Sequence, residues 1–430
     1  MVKVLEQVER LAPYAILGVF ALLLLTVVRV SIFGQVEPEK HVYFEIVFLL
    51  LLAVLGEVAV VYLKQPSVMI LMVLGILMSP SFISISWDLL KSLGAPVPAA
   101  PPEILRSDEL IRIFAQLGAV ILLFKVGLHN KIEGVFAKDN LVVAAAGIIV
   151  PFAAGYLYAS VSGGNFAYAM FMGAALTATS VGVTVALLRE FNMIGARFAQ
   201  IIIGAAVIDD VLGLLVLSFV INVTGGAGFA IEPLIFTGLS ALVFLLGSVL
   251  AGKYFVDYLD KKEMSQKRFL LVLALMLMYA YVAEFIQLSA IVGAFLAGIV
   301  LNRSRHINEI EDKTYGLELL FMPVFFISLG LLVDVGALWQ YAIPIIALTA
   351  IAFATKFVPC GLAALWAKLS RKEALAVGVG MVPRGEVALI VASIGLSTSV
   401  LTVAQYSIIS AMALLTTFVV PPILVRVLRK

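Results

Sequence analysis

The chain has 430 residues, of which 63% are hydrophobic and 13% charged, with a formal net charge of +2. So much apolar surface excludes an ordinary soluble domain and predicts a polytopic membrane protein. The single cysteine, Cys360, excludes an intrachain disulfide and reads as a small apolar filler. Nothing in the composition points to a nucleic-acid partner, so the expected surroundings are membrane lipid.

Taken in chain order, the apolar runs predict about 14 transmembrane helices. They lie near residues 11–33, 42–63, 66–82, 108–130, 141–162, 166–188, 197–223, 231–256, 268–286, 288–303, 314–336, 341–368, 372–398 and 403–428. The runs are continuous and lack two-residue alternation, so helices rather than barrel strands are expected. The first run lacks a small-residue cleavage pattern and reads as a retained span. Of the 29 Lys and Arg residues, Lys125, Lys356 and Arg384 fall inside spans. Arg29, Lys40, Lys91, Arg106 and Arg112 share one side, and the remaining 21 the other. That asymmetry places both termini in the cytoplasm and supports an even number of crossings.

Two spans are interrupted in composition. Residues 171–188 carry Thr177, Thr179, Ser180, Gly182 and Thr184 at their centre, and residues 373–396 carry Gly378, Gly380, Pro383 and Gly385. Pro383 cannot donate a helical hydrogen bond, and glycine weakens the helix around it. Backbone groups freed in this way are tolerated in a membrane only where they are buried or meet water. Paired breaks in two halves of a chain are a pointer to a midplane transport site. Spans 5–7 and 12–14 are thus expected to be inverted copies, each with its broken helix in the middle.

Between these breaks, Asp209 and Asp210 sit in the otherwise apolar run 201–221. A charge at mid-membrane costs roughly 3 kcal/mol on the insertion scale, so an adjacent acid pair reads as an ion or proton site. Neighbours on a helix point about 100° apart, which suggests one carboxylate in an ion path and one paired to a base. Lys356, deep in its own apolar span, is the expected base. Burial and pairing act in opposite senses on such a pair, which lets it titrate in the physiological range. The expected ligands for a hard monovalent cation are a carboxylate with Thr179 and Ser180, supported by Thr177. Arg384 and Glu386 flank the second break, where Glu386 is expected in the first turn of the following half-helix. Lys125 is expected to snorkel to the cytoplasmic surface, and His129 lies near the same end. Glu57 and Glu284 are expected to line a cavity or pair at an interface. The glycines of 290–301 are expected to serve close helix packing.

Several stretches together carry a family resemblance: KQPSVMILMVLGILMSP (64–80), LGAVILLFKVGL (117–128), GAALTATSVGVTVALLRE (173–190), IIGAAVIDDVLGLLVLS (202–218), SAIVGAFLAGIVL (289–301), MPVFFISLGLLVD (322–334) and GVGMVPRGEVALIVA (378–392). With them the chain resembles the cation:proton antiporter superfamily, in its NapA and Kef-type branch. The resemblance implies an all-α antiporter fold with inverted repeats and two crossed discontinuous helices, 171–188 and 373–396. It implies a homodimer that works by elevator-like alternating access, with 1–107 holding an additional first helix and part of the dimerisation region. Residues 108–223 and 313–430 would form the two halves of the core transport domain, and 224–312 would link and dimerise. By position, Asp210 would bind Na⁺ or Li⁺ in competition with protons, with Thr179 and Ser180 as further cation ligands. Asp209 would pair with Lys356, a combination that resembles the electrogenic sodium/proton branch and a role in pH homeostasis. The alternative is a K⁺/H⁺ antiporter or a Kef-type K⁺ efflux system, although no regulatory nucleotide-binding domain is expected after the last span. No cofactor and no enzymatic activity are implied. The chain departs from the family pattern at Leu71, Lys125 and His129. A K⁺ channel would want a repeated carbonyl filter that is absent. An aspartyl protease would want its two aspartates on different helices.

Overall fold

The computed structural model describes residues 22–34, 37–130, 137–224, 232–286 and 288–429. The opening half of the first expected span, Lys131 and Lys430 lie outside the described residues. Every regular element among the described residues is an α-helix, as a lipid environment that cannot hydrogen-bond to backbone requires. Among the described residues, ten helices are long and apolar enough to cross a membrane, or eleven if Ser67–Leu77 and Pro80–Ser92 are taken as one span bent by 54°. The expected count of 14 is therefore not reached on that criterion. The helices Leu22–Phe33, Ala290–Leu301 and Val387–Ser397 are apolar but short; twelve helical residues extend only about 18 Å against about 30 Å of hydrocarbon. The expected third span, 66–82, is split because Ser79 caps a new helix beginning at Pro80.

Two triplets of consecutive segments enclose the centre. The first is Lys138–Val161, the interrupted pair Phe166–Thr177 and Gly182–Glu190, and Arg197–Thr224. The second is Ala342–Trp366, the interrupted pair Arg371–Gly380 and Glu386–Ser397, and Val403–Arg429. The triplets pack on each other: Ala342–Trp366 lies on Lys138–Val161, Glu386–Ser397 on Phe166–Thr177, and Arg371–Gly380 on Arg197–Thr224.

The helices Ser67–Leu77, Asp108–Leu128, Ala290–Leu301 and Ile307–Leu331 form a second packed group. Small residues let their backbones touch. A Cβ on Gly127 would fall 2.9 Å from the Cα of Gly298, and one on Gly75 would fall 2.9 Å from the Cα of Gly330. The helix Asp108–Leu128, grouped by resemblance with 138–223, packs chiefly on Ala290–Leu301 and Ile307–Leu331. The expected packing role of the glycines in 290–301 is visible in Gly298 and in Gly293, which abuts the carbonyl of Tyr279.

Candidate functional site: two crossed breaks beside an acid pair

The first interrupted pair loses its helix after Thr177, whose hydroxyl donates back to the carbonyl of Ala174. Helix resumes at Gly182. The second begins at a capping box made by Ser370 and Glu373, runs to Gly380, and resumes at Glu386. The backbone groups that these breaks release meet each other. The amide of Ser180 donates to the carbonyl of Pro383 at 2.8 Å, and the hydroxyl of Thr184 donates to the carbonyl of Gly380 at 2.8 Å. The crossing is tight enough to require glycine, since a Cβ on Gly385 would lie 2.6 Å from both Cβ and Oγ of Ser180.

Arg384 is fully buried within the second break. Its guanidinium donates to the carbonyls of Val382 at 3.2 Å and Ala352 at 3.3 Å. Its amide donates to Thr416 Oγ1 at 3.1 Å, and the Thr417 hydroxyl donates to its carbonyl. Arg384 thus stitches the interruption to the helix Ala342–Trp366 and satisfies the carbonyl of Val382, which the break leaves without helical partners. Glu386 opens the following half-helix; its side chain lies outside the described residues.

Asp209 and Asp210 occupy the middle of Arg197–Thr224 and diverge as the helical step demands. Asp209 is 1% exposed and Lys356 0%, and Lys356 Nζ donates to Asp209 Oδ2 at 3.0 Å. Gly147 makes room for this lysine: a Cβ there would lie 3.0 Å from Nζ. The other Asp209 oxygen, Oδ1, and the neighbouring Thr179 hydroxyl are both buried and neither closes a hydrogen bond of good geometry among the described residues. Asp210 is half-buried and lines a cavity of about 1400 Å³ together with Thr179, Ser180, Arg384 and Gly385. Two carboxylates and two cations therefore converge where the breaks cross. Asp210 lines the open space, and Asp209, held by Lys356, faces protein.

The cavity is continuous with residues 101–105, Arg112, Asn222 and Glu284, the ends that the charge asymmetry assigns to the positive-poor side. Of the remaining charges singled out in the sequence, Glu284 lines this cavity, while Glu57 is exposed on the outer surface of the helix bundle. Lys125 does not snorkel. It is 3% exposed and its Nζ lies 2.6 Å from Glu318 Oε2, because a buried carboxylate on the adjacent helix supplies the partner that water would have supplied. His129 Nε2 lies 3.4 Å from Glu311, and Leu71 is buried in the apolar core. Thr177 is also buried, but its hydroxyl is engaged within its own helix.

Sequence reasoning missed Thr416, Thr417 and Gly147, and it marked Thr184 only as part of the first break. The adjacent threonines inside the apolar run 411–420 were a usable signal, since a hydroxyl pair at mid-membrane commonly serves freed backbone. Gly147 offered none.

The description "Sodium/hydrogen exchanger, transmembrane" matches residues 46–430. The chain therefore belongs to the sodium/hydrogen exchanger family. It is 35% identical over 349 residues to the high-affinity Na(+)/H(+) antiporter NhaS3 of Synechocystis sp., covering 78% of this chain and 75% of that one. It is 32% identical over 393 residues to the Na(+)/H(+)-K(+) antiporter GerN of Bacillus cereus, covering 90% and 96%. Among solved structures, the sodium proton antiporter MjNhaP1 of Methanocaldococcus jannaschii at pH 8 aligns with a TM-score of 0.58 at 19% identity, covering 88% of this chain and 95% of that one. That likeness shows that the fold is an antiporter fold.

Proposed function

We propose that this protein exchanges Na⁺ or Li⁺ for protons across the cytoplasmic membrane, with Asp210 as the carboxylate for which proton and cation compete. The observation that carries the reading is the division of labour in the acid pair: Asp209 is closed off by Lys356, while Asp210 lines the cavity beside the crossed breaks. A half-buried carboxylate flanked by Thr179 and Ser180 offers the oxygen ligands that a hard monovalent cation takes. Proton and cation neutralise the same charge, so each displaces the other, and their movements are coupled without covalent chemistry. Family membership supports exchange as the activity, and the likeness to NhaS3, a Na(+)/H(+) antiporter, and to GerN, a Na(+)/H(+)-K(+) antiporter, supports Na⁺ as a cation.

In this reading the termini are cytoplasmic and the cavity faces outward, supported by the distribution of Lys and Arg. The two triplets move as the core, and the group containing Ser67–Leu77, Asp108–Leu128, Ala290–Leu301 and Ile307–Leu331 stays as the scaffold of a homodimer. The separate packing of the two groups supports this division. The Asp209–Lys356 pair accompanies the site and suits an electrogenic cycle.

The test uses purified protein in proteoliposomes bearing a pH gradient, with Na⁺, Li⁺ or K⁺ added separately. Na⁺ and Li⁺ are expected to collapse the gradient, and Asp210→Asn is expected to abolish the response. Cation-dependent proton movement retained in Asp210→Asn would remove this residue from the site. A response to K⁺ alone would move the protein to potassium exchange.

A further inference from the structure

The half-helix Gly182–Glu190 ends on two charged residues that grip two different scaffold helices. The Arg189 guanidinium makes a two-point ion pair with Glu318 of Ile307–Leu331, through Nη1 to Oε1 and through Nη2 to Oε2 at 2.9 Å. The next residue, Glu190, accepts hydrogen bonds from the amide of Ser67 at 3.2 Å (Oε2) and 3.3 Å (Oε1), and from its hydroxyl at 3.0 Å. Glu190 thereby caps Ser67–Leu77, whose own N-cap residue, Pro66, gives no side-chain cap. The acid also lies at the positive end of that helix.

The same two segments meet again under the site. Gly182 faces the ring of Phe325, to which a Cβ would approach within 3.1 Å. Arg189 follows Gly182 by seven residues and Glu318 precedes Phe325 by seven. An apolar contact beneath the cavity and an ionic one at the far face thus lie along one seam. Glu318 has a second partner: Lys125 lies at 2.6 Å, on the scaffold helix that packs against Glu318's own.

We propose that Arg189 and Glu190 are a latch that holds the transporter shut toward the cytoplasm, and that Lys125 is the residue that lets it open. This rests on the alternating-access reading above. When the core moves, Arg189 must leave Glu318. A buried carboxylate stripped of its only cation is strongly disfavoured. Lys125 remains beside Glu318 on the scaffold, so opening leaves a neutral pair behind. The third charge, which sequence reasoning assigned to the membrane surface, makes the latch reversible.

Ala186 supplies the reporter. It is 6% exposed and sits one turn deeper than Arg189 and Glu190 on the same face. Ala186→Cys, in inside-out membrane vesicles, is treated with a membrane-impermeant thiol reagent, with the parent carrying only buried Cys360 as background. With the latch intact, labelling is expected to be slow. Arg189→Gln and Glu190→Gln are each expected to speed it about tenfold, the scale of losing a charge-assisted bond. Arg189→Lys, which keeps a single-point pair, is expected to fall between and guards against a folding defect. Lys125→Met is expected to slow labelling below the parent, and adding Glu318→Gln to it to restore labelling. Labelling unchanged by Arg189→Gln and Glu190→Gln would overturn the latch, and parental labelling in Lys125→Met would overturn the role of that lysine. The readout needs no transported ion. Failure of Na⁺/H⁺ exchange with shifted labelling would therefore count against the cargo and not against the latch.

Discussion

Lys356 is held among apolar helices by one carboxylate, and this makes it the most exacting residue in the molecule. Removing one member of a buried ion pair leaves the other uncompensated, at a cost of about 3–5 kcal/mol. Lys356→Ala is accordingly expected to lower thermal stability by an amount on that scale, measured by denaturation in detergent. Replacing both partners, as Lys356→Met with Asp209→Asn, is expected to recover most of the loss. A double variant as unstable as the sum of the singles would show that the pair is not coupled. The Asp209–Lys356 contact was foreseeable in the sequence, because the acid pair and Lys356 are charges deep in apolar runs and the family resemblance assigns Asp209 to the lysine. Glu318 was not. It falls inside the expected span 314–336, close behind the polar stretch 308–315, and was not singled out, so Lys125 was left without a visible partner and was assigned to the surface.

At the scale of elements, the two interruptions depend on one another. Each releases carbonyls or amides that the other takes up, through Ser180 to Pro383 and Thr184 to Gly380. Pro383 and the surrounding glycines announced the second break, and the run of hydroxyl residues announced the first. What they could not announce was that the breaks touch, since pattern reports where a helix fails and not what the failed segment meets. The contact leaves no space at Gly385. Gly385→Ala puts a methyl 2.6 Å from Ser180, so the crossing must spread and Ser180 must shift relative to Asp210. The expected outcome is an exchange rate reduced about tenfold or more in proteoliposomes, since small misplacements at a site are costly, with protein yield and melting behaviour near parental. An unaltered rate would mean that the crossing is looser than the geometry indicates.

At the scale of the whole molecule, the cavity reaches the site from one face while the other is closed by Phe325 and, beyond it, by the charges around Glu318. Ser180→Cys should therefore react with an impermeant thiol reagent added outside right-side-out vesicles, and Na⁺ should slow the reaction. Labelling only from the inside would reverse the orientation proposed here. Hydropathy gave the helical architecture, and charge counting gave the sidedness of the loops that is proposed here. The open face was beyond their reach, because it depends on how two packed groups lean against each other and not on any residue's character.

The crossing has one more consequence. Ser180, Thr184, Pro383, Arg384, Asp209, Lys356 and Asp210 are joined to one another or to segments of the same two triplets. If these triplets travel together, the oxygens proposed to coordinate the cation travel with them unchanged. The ranking of Na⁺, Li⁺ and K⁺ at equilibrium would then be the same from either face of the membrane. Only the rates of arrival and departure would differ between inside and outside, so a cation that is discriminated against on entry would be discriminated against to the same degree on exit.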